Sequence, residues 1–175
     1  MKLKSTIPVI LLTAGLLPGL SSCEDFFNQL PLNDIVLEAF YTEENDITSL
    51  VTSCYAALET EDCITRMAGW GEMRSDNITA GSNLSNEEEQ MLKENITPTT
   101  KYANWVSFYN VINRCNTVIH YAPLVNERDP NYTTSEMKAN LAEVKALRAL
   151  SYFYLIRAFR DVPFVTEPSI DDLQD

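Results

Sequence analysis

The chain has 175 residues and a formal net charge of -12, and no basic stripe runs through it, so a nucleic-acid backbone finds no electrostatic footprint here. Hydrophobic residues make up 45% and charged residues 22%, the ordinary balance of a globular domain with a modest core. His120 is the only histidine and no C-x-x-C pair is present, which removes histidine-based metal sites and triads built on an imidazole.

The chain opens with Lys2 and Lys4, then an apolar run from Ile7 to Leu20 that Pro8, Thr13, Gly15, Pro18 and Gly19 interrupt. A bilayer span needs about 20 apolar residues, so this run is too short and too broken. A basic start, a short apolar middle and small residues before a cut site are the plan of a secretory signal peptide, expected over residues 1–22. Leu20-Ser21-Ser22-Cys23 resembles the lipobox of bacterial lipoproteins, in which cleavage falls before the cysteine and diacylglycerol alkylates its sulfur. The mature chain is then 23–175, tethered through lipid on Cys23. Its acidic body does not adhere to anionic membrane surfaces, so the covalent anchor has to hold it there.

After Cys23 an extended tether carries Phe26, Phe27, Leu30 and Leu32. The first helix is expected in "TEENDITSLVTSCYAALET", where Ile47, Leu50, Val51, Cys54, Tyr55 and Leu58 recur at the spacing of one buried face. Thr42 is its expected cap, and Glu43, Glu44 and Asp46 suit the positive end of the helix. Residues 62–83, with Gly69, Gly71 and Gly81, read as a long loop, a length that in a compact domain marks function or disorder. "SNEE" from Ser85 has capping-box spacing and starts a short helix. A long helix follows with Trp105, Phe108, Tyr109, Ile112, Cys115, Asn116 and Ile119 on one stripe, and Pro123 is expected to stop it. Asn116 on that stripe is expected to be a satisfied buried amide. The last helix begins at the box Thr133–Glu136 and ends near Phe159, and its middle is apolar nearly all round. Pro163 and Pro168 keep the following segment extended.

No β-alternation of any length is present, and no repeat at a 34-residue period. The fold class is therefore all-α, with tetratricopeptide-like antiparallel helix pairs and long loops. Beyond Cys23, three cysteines remain, an odd number for a disulfide framework. Cys54 and Cys115 fall on apolar helix faces, where cysteine behaves as a small hydrophobe, and a Cys54–Cys63 bridge is open to an exported protein.

"EVKALRALSYFYLIRAFRDVPFVTEP" (Glu143 to Pro168) resembles the signature of the SusD/RagB family of Bacteroidetes outer-membrane lipoproteins. "CEDFFNQLP", "FYTEENDITSLVTSCYAAL" and "NWVSFYNVINRCNTVI" agree with the same family, in the family's order. The resemblance implies an all-α surface lipoprotein that binds a glycan or other nutrient and lids a SusC-like TonB-dependent transporter. It also implies an export signal in the acidic residues after the lipidated cysteine, here Glu24 and Asp25. Arg160 stands where the family usually has glycine. Family members are about three times this long, so the chain is expected to be a truncated, N-terminal part of such a protein. Its last helix, apolar on several sides, then expects partners that this length does not supply, leaving an exposed patch and marginal stability.

Trp70 is the ligand candidate, because indole stacks on the apolar C–H faces of sugar rings, while Glu72, Asp76 and Asn77 in the same stretch serve hydroxyls. The competing reading has Trp70 packing the loop onto the body. Trp105, on the helical stripe, is assigned to the core. Glu72 and Asp76 are near enough to suggest a glycosidase pair, but acids are spread throughout the chain, so no enzyme, cofactor or metal is expected. A non-enzymatic helical-repeat scaffold lipoprotein of the outer membrane would share the lipobox and helices without needing a binding loop.

Overall fold

A computed structural model describes residues 40–169. These belong to one of two units of the chain, Leu37–Asp175, and the other unit, Met1–Val36, lies wholly outside the described residues. The expected signal peptide, Cys23, Glu24 and Asp25 therefore fall outside them as well. Among the described residues there are five helices and no strand: α1 Glu44–Leu58, α2 Glu61–Gly71, α3 Asn86–Leu92, α4 Val106–Arg128 and α5 Thr134–Phe159. The all-α expectation holds.

The start of α1 is built by acids rather than by Thr42. Glu43 is the N-cap and shares a reciprocal capping box with Asp46, whose Oδ2 accepts the backbone N–H groups of Thr42 (2.8 Å) and Glu43 (3.0 Å). Ile47, Val51, Cys54 and Ala57 form the buried face, at spacings of four, three and three residues. This face packs on α4, and α4 packs in turn along α5. A turn at 129–133 folds α5 back along α4, giving the expected helix pair.

Three further expectations fail for identifiable reasons. The stretch 62–83 is not all loop, because α2 occupies its first part. Thr60 caps α2 by accepting from the Cys63 N–H, and Glu61 and Asp62 sit in the first turn. Its buried face is Cys63, Arg66, Gly69 and Trp70, a set in which arginine and glycine conceal the apolar period. Arg66 is buried because its guanidinium is used: Nε donates to the Asn104 carbonyl (3.0 Å), Nη1 to the Asp62 carbonyl (2.9 Å), and the Asp62 carboxylate pairs with it. Gly69 lies under other side chains, since a Cβ there would meet Met91 Cε at 3.5 Å and Tyr102 Cδ1 at 3.6 Å.

The second failure is at Pro123, which α4 passes through on its way to Arg128. Proline removes one helical hydrogen bond, but Tyr121, Ala122 and Val125 on either side of it are buried in the core and hold the helix on course. The third is Trp105, which is the N-cap of α4 and not a member of its buried stripe.

The last helix behaves as expected at both ends. Thr133 and Glu136 form the capping box, and the helix stops at Phe159. The stop is made by Arg160, whose φ of 68° lies in the left-handed region while its N–H still bonds the Ile156 carbonyl (3.0 Å). Glycine reaches that region without a Cβ clash, which is why a glycine fits this position in the family the sequence resembles. Arg160→Gly is expected to stabilise the fold by about 1 kcal/mol through relief of that strain. A higher urea midpoint at unchanged slope would show it; an unchanged or lower midpoint would place the strain elsewhere.

Candidate functional site

The start of α4 determines where the more exposed of the two tryptophans stands. Asn104 Oδ1 accepts the N–H of Val106 at 2.8 Å, so the side chain two residues back begins the helix. Trp105, held between them at φ -101° and ψ -2°, stands off the helical stripe and is 43% exposed. Its indole packs edge-on against Phe159 at the end of α5 (centroids 5.7 Å apart) and against Tyr109 one turn into α4 (6.0 Å).

These contacts belong to a longer run of rings. Phe159 also meets Trp70 of α2 (5.9 Å), Tyr109 meets Tyr152 of α5 (6.3 Å), and Tyr152 meets Phe164 (5.2 Å). The segment carrying Phe164 is fixed by hydroxyls: Tyr109 Oη donates to the Pro163 carbonyl (2.6 Å), and Tyr152 Oη both accepts from the Val165 N–H (2.7 Å) and donates to the Val165 carbonyl (2.9 Å). The two ends of the run differ sharply. Trp70 is 8% exposed and Phe164 is 74% exposed.

A groove of about 570 Å³ opens where Trp105 meets Phe159, with Pro98, Ala103, Asn104 and Val106 completing its lining. No lining side chain carries a charge. With Oδ1 of Asn104 engaged by Val106, its Nδ2 makes no hydrogen bond among the described residues and is available to a hydroxyl. An open indole beside an amide donor suits a ring with an apolar face and polar edges.

The residues singled out in the sequence are placed differently. Trp70 ends α2 with its Nε1–H donating to the Tyr102 carbonyl (3.1 Å), and it forms a small second core with Met91 and Tyr102. Arg74 stands over its ring at 5.9 Å. This is the packing role, and it leaves little indole surface for stacking. Glu72 is the exposed C-cap of α2. Asp76 borders a separate open hollow of about 610 Å³ with Arg74, Thr79, Glu89 and Lys93, which Trp70 does not line. Asn77 is exposed, its backbone N–H bonded to Ser75 Oγ at 3.3 Å. The structure thus separates Trp70 from Asp76 and offers Trp105 in its place. The signal that would have found it is Asn104, a residue type whose side chain accepts the backbone N–H two residues on and so starts the helix after Trp105. Among the described residues no group of three or more His, Cys, Asp and Glu side chains could hold a metal ion.

The two tryptophans are expected to report their places by fluorescence. In Trp70→Phe the remaining emission, from Trp105, is expected to be red-shifted and strongly quenched by acrylamide. In Trp105→Phe it is expected to be blue-shifted and protected. Equal quenching in the two variants would contradict the burial described.

Comparisons with known proteins agree with this helical body. No family model matches the chain, and no solved structure matches it. Three curated proteins of Formosa agariphila do: SusD-like protein P38, 30% identical over 93% of this chain; SusD-like protein P25, 26% over 85%; and SusD-like protein P2, 24% over 94%. The chain spans about 30% of the length of each. The matches cover 85 to 94% of this chain, and on them the chain belongs to the SusD-like family.

Proposed function

We propose that the chain is part of a lipid-anchored outer-membrane protein that captures a glycan or other nutrient and hands it to a SusC-like TonB-dependent transporter. Membership of the SusD-like family supports nutrient binding without catalysis. The single observation that carries the site is the exposed indole of Trp105 in an uncharged groove beside the Asn104 amide. Because the chain spans about 30% of its relatives' length, the groove is one wall of a larger site in this reading. One aromatic wall supports weak binding, on the order of millimolar, which is about 4 kcal/mol.

Titration of the chain with neutral oligosaccharides, followed by Trp105 fluorescence or by NMR, is expected to show saturable binding that Trp105→Ala removes. Acidic oligosaccharides of the same length are expected to bind less well, since the chain carries a net charge of -12. The loop around Asp76 and Asn77 is the alternative location. If Asp76→Ala with Asn77→Ala abolishes binding while Trp105→Ala leaves it intact, the ligand sits in that hollow and the Trp105 assignment is wrong.

The anchor part of the proposal rests on the lipobox-like Leu20–Cys23 and on the acidic Glu24 and Asp25 that follow as the surface-export signal. No helix among the described residues is long and apolar enough to cross a membrane. Two acyl chains on Cys23 give stable attachment, at about 0.8 kcal/mol per buried methylene. Cys23→Ala is expected to move the protein from the outer-membrane fraction to the soluble fraction. A variant that still pellets with the membrane would place the anchor elsewhere.

A further inference from the structure

Cys54, Cys63 and Cys115 are all buried, and they do not share one environment. Cys54 on α1 and Cys115 on α4 both lie fully enclosed on the packed faces of those two helices and interact side chain to side chain, while Cys54 Sγ donates to the Leu50 carbonyl at 3.4 Å. Cys63 on α2 interacts instead with the Ser107 hydroxyl. The neighbour in sequence is thus not the neighbour in space, and the Cys54–Cys63 bridge open to the sequence is not the pairing the fold brings together. Ala57 follows Cys54 on the same buried face of α1, and Ala122 lies two turns beyond Cys115 on α4. Small side chains of this kind let helix backbones approach closely. A disulfide requires that, since its two Cα atoms lie about 5.5–6 Å apart.

We propose that Cys54 and Cys115 are an unassigned modification site, forming a disulfide that staples α1 to α4 when the chain matures in an oxidising compartment. The oxidant is the disulfide of an exported dithiol protein, and the compartment follows from the export reading given above. One of the two sulfurs, as thiolate, attacks that disulfide, giving a mixed disulfide and releasing one thiolate of the oxidant. The other sulfur then attacks the first and displaces the oxidant's second thiolate. One S–S bond forms in this chain and one is broken in the oxidant, which gains two electrons and takes up the two protons that the cysteines lose.

In the closed fold the contact between the two thiols lowers Cys54, with Arg114 adding to the effect, while the same contact and burial raise Cys115. Both sulfurs are enclosed in the finished fold, so the exchange precedes closure of α1 onto α4. The bond would close the whole excursion through α2 and α3, a long loop of the kind for which a cross-link most restricts the unfolded chain.

The test uses the full chain isolated from the cell envelope, with free thiols blocked by N-ethylmaleimide in denaturant and digested without reduction. Mass spectrometry is expected to find the Cys54 and Cys115 peptides joined and two hydrogens lighter than their sum, with Cys63 alkylated. Reduction is expected to lower the unfolding midpoint by about 10 °C. Cys63→Ser is expected to keep the link and the reduction-sensitive midpoint, and Cys115→Ser to lose both. The same chain, fully reduced and then titrated with oxidised glutathione, separates geometry from location. A link that forms with glutathione but is missing in the envelope supports the pairing and counts against the export reading. Alkylation of both cysteines under both conditions, or a Cys54–Cys63 link, overturns the proposal.

Discussion

The side-chain amide of Asn116 is the junction on which the rest of this structure depends. It sits 1% exposed in the middle of α4. Its Nδ2 donates to the carbonyls of Val165 (3.1 Å) and Glu167 (3.2 Å), and its Oδ1 accepts from Arg148 Nη1 of α5 at 2.7 Å. One amide therefore ties α4 to α5 and to the segment beyond α5. Breaking such a group apart leaves a half-buried guanidinium and two carbonyls without this partner, at a cost of about 1–3 kcal/mol. The register it enforces carries through to the ring contacts, because the end of α5 and the Phe164 segment both supply members of the aromatic run. Asn113, one turn earlier, continues the clamp by accepting the Ser169 N–H at 2.9 Å.

Much of this body was legible in the sequence where the signal is local. The capping boxes at Ser85 and Thr133, the buried face of α1, the end of α5 and the satisfied amide of Asn116 each follow from spacing within one turn or one helix face. The errors fall where a tertiary partner overrides a local rule. Gly69 and Gly71 look like breakers, yet both lie within α2, where Met91 and Tyr102 pack over Gly69, and Arg66 is buried because three backbone or carboxylate partners receive it. Pro123 looks like a stop until the core on both sides of it is counted. Trp105 was assigned to the helical stripe but stands one residue before the helix begins, which was enough to move an indole from the core to a groove. The approach of Cys54 to Cys115 lies between helices far apart in the chain, and no local pattern encodes it.

The apolar middle of α5 is covered on one side only. Val144, Leu147, Ser151 and Leu155 are buried, while Leu150, Phe153 and Ile156 remain exposed. This is the exposed patch that the sequence led us to expect from a helix apolar nearly all round. Arg157 lies over the Phe153 ring at 5.1 Å and shields part of it. Side chains of this size gain about 1.5–3 kcal/mol from full burial. That gain is only partly realised in this chain, so its stability leans on the α1–α4–α5 core and the Asn116 junction.

The acidity of the chain also has a use inside the fold, in the way helices begin. Glu88 caps α3 through Ser85, Glu136 caps α5 through Thr133, and Asp129 at the end of α4 accepts the Glu44 N–H at the start of α1 (2.9 Å). Each of these carboxyls is held below its ordinary range, chiefly by the hydrogen bonds it accepts. A carboxyl with a depressed folded pKa stabilises the fold fully above its unfolded pKa, and that contribution fades as pH falls through the lower folded value. Three helix starts are therefore linked to the same protons. Acid loosens them in concert, α1 from α4 included, so proton uptake acts on the seam that encloses Cys54 and Cys115 without either cysteine titrating.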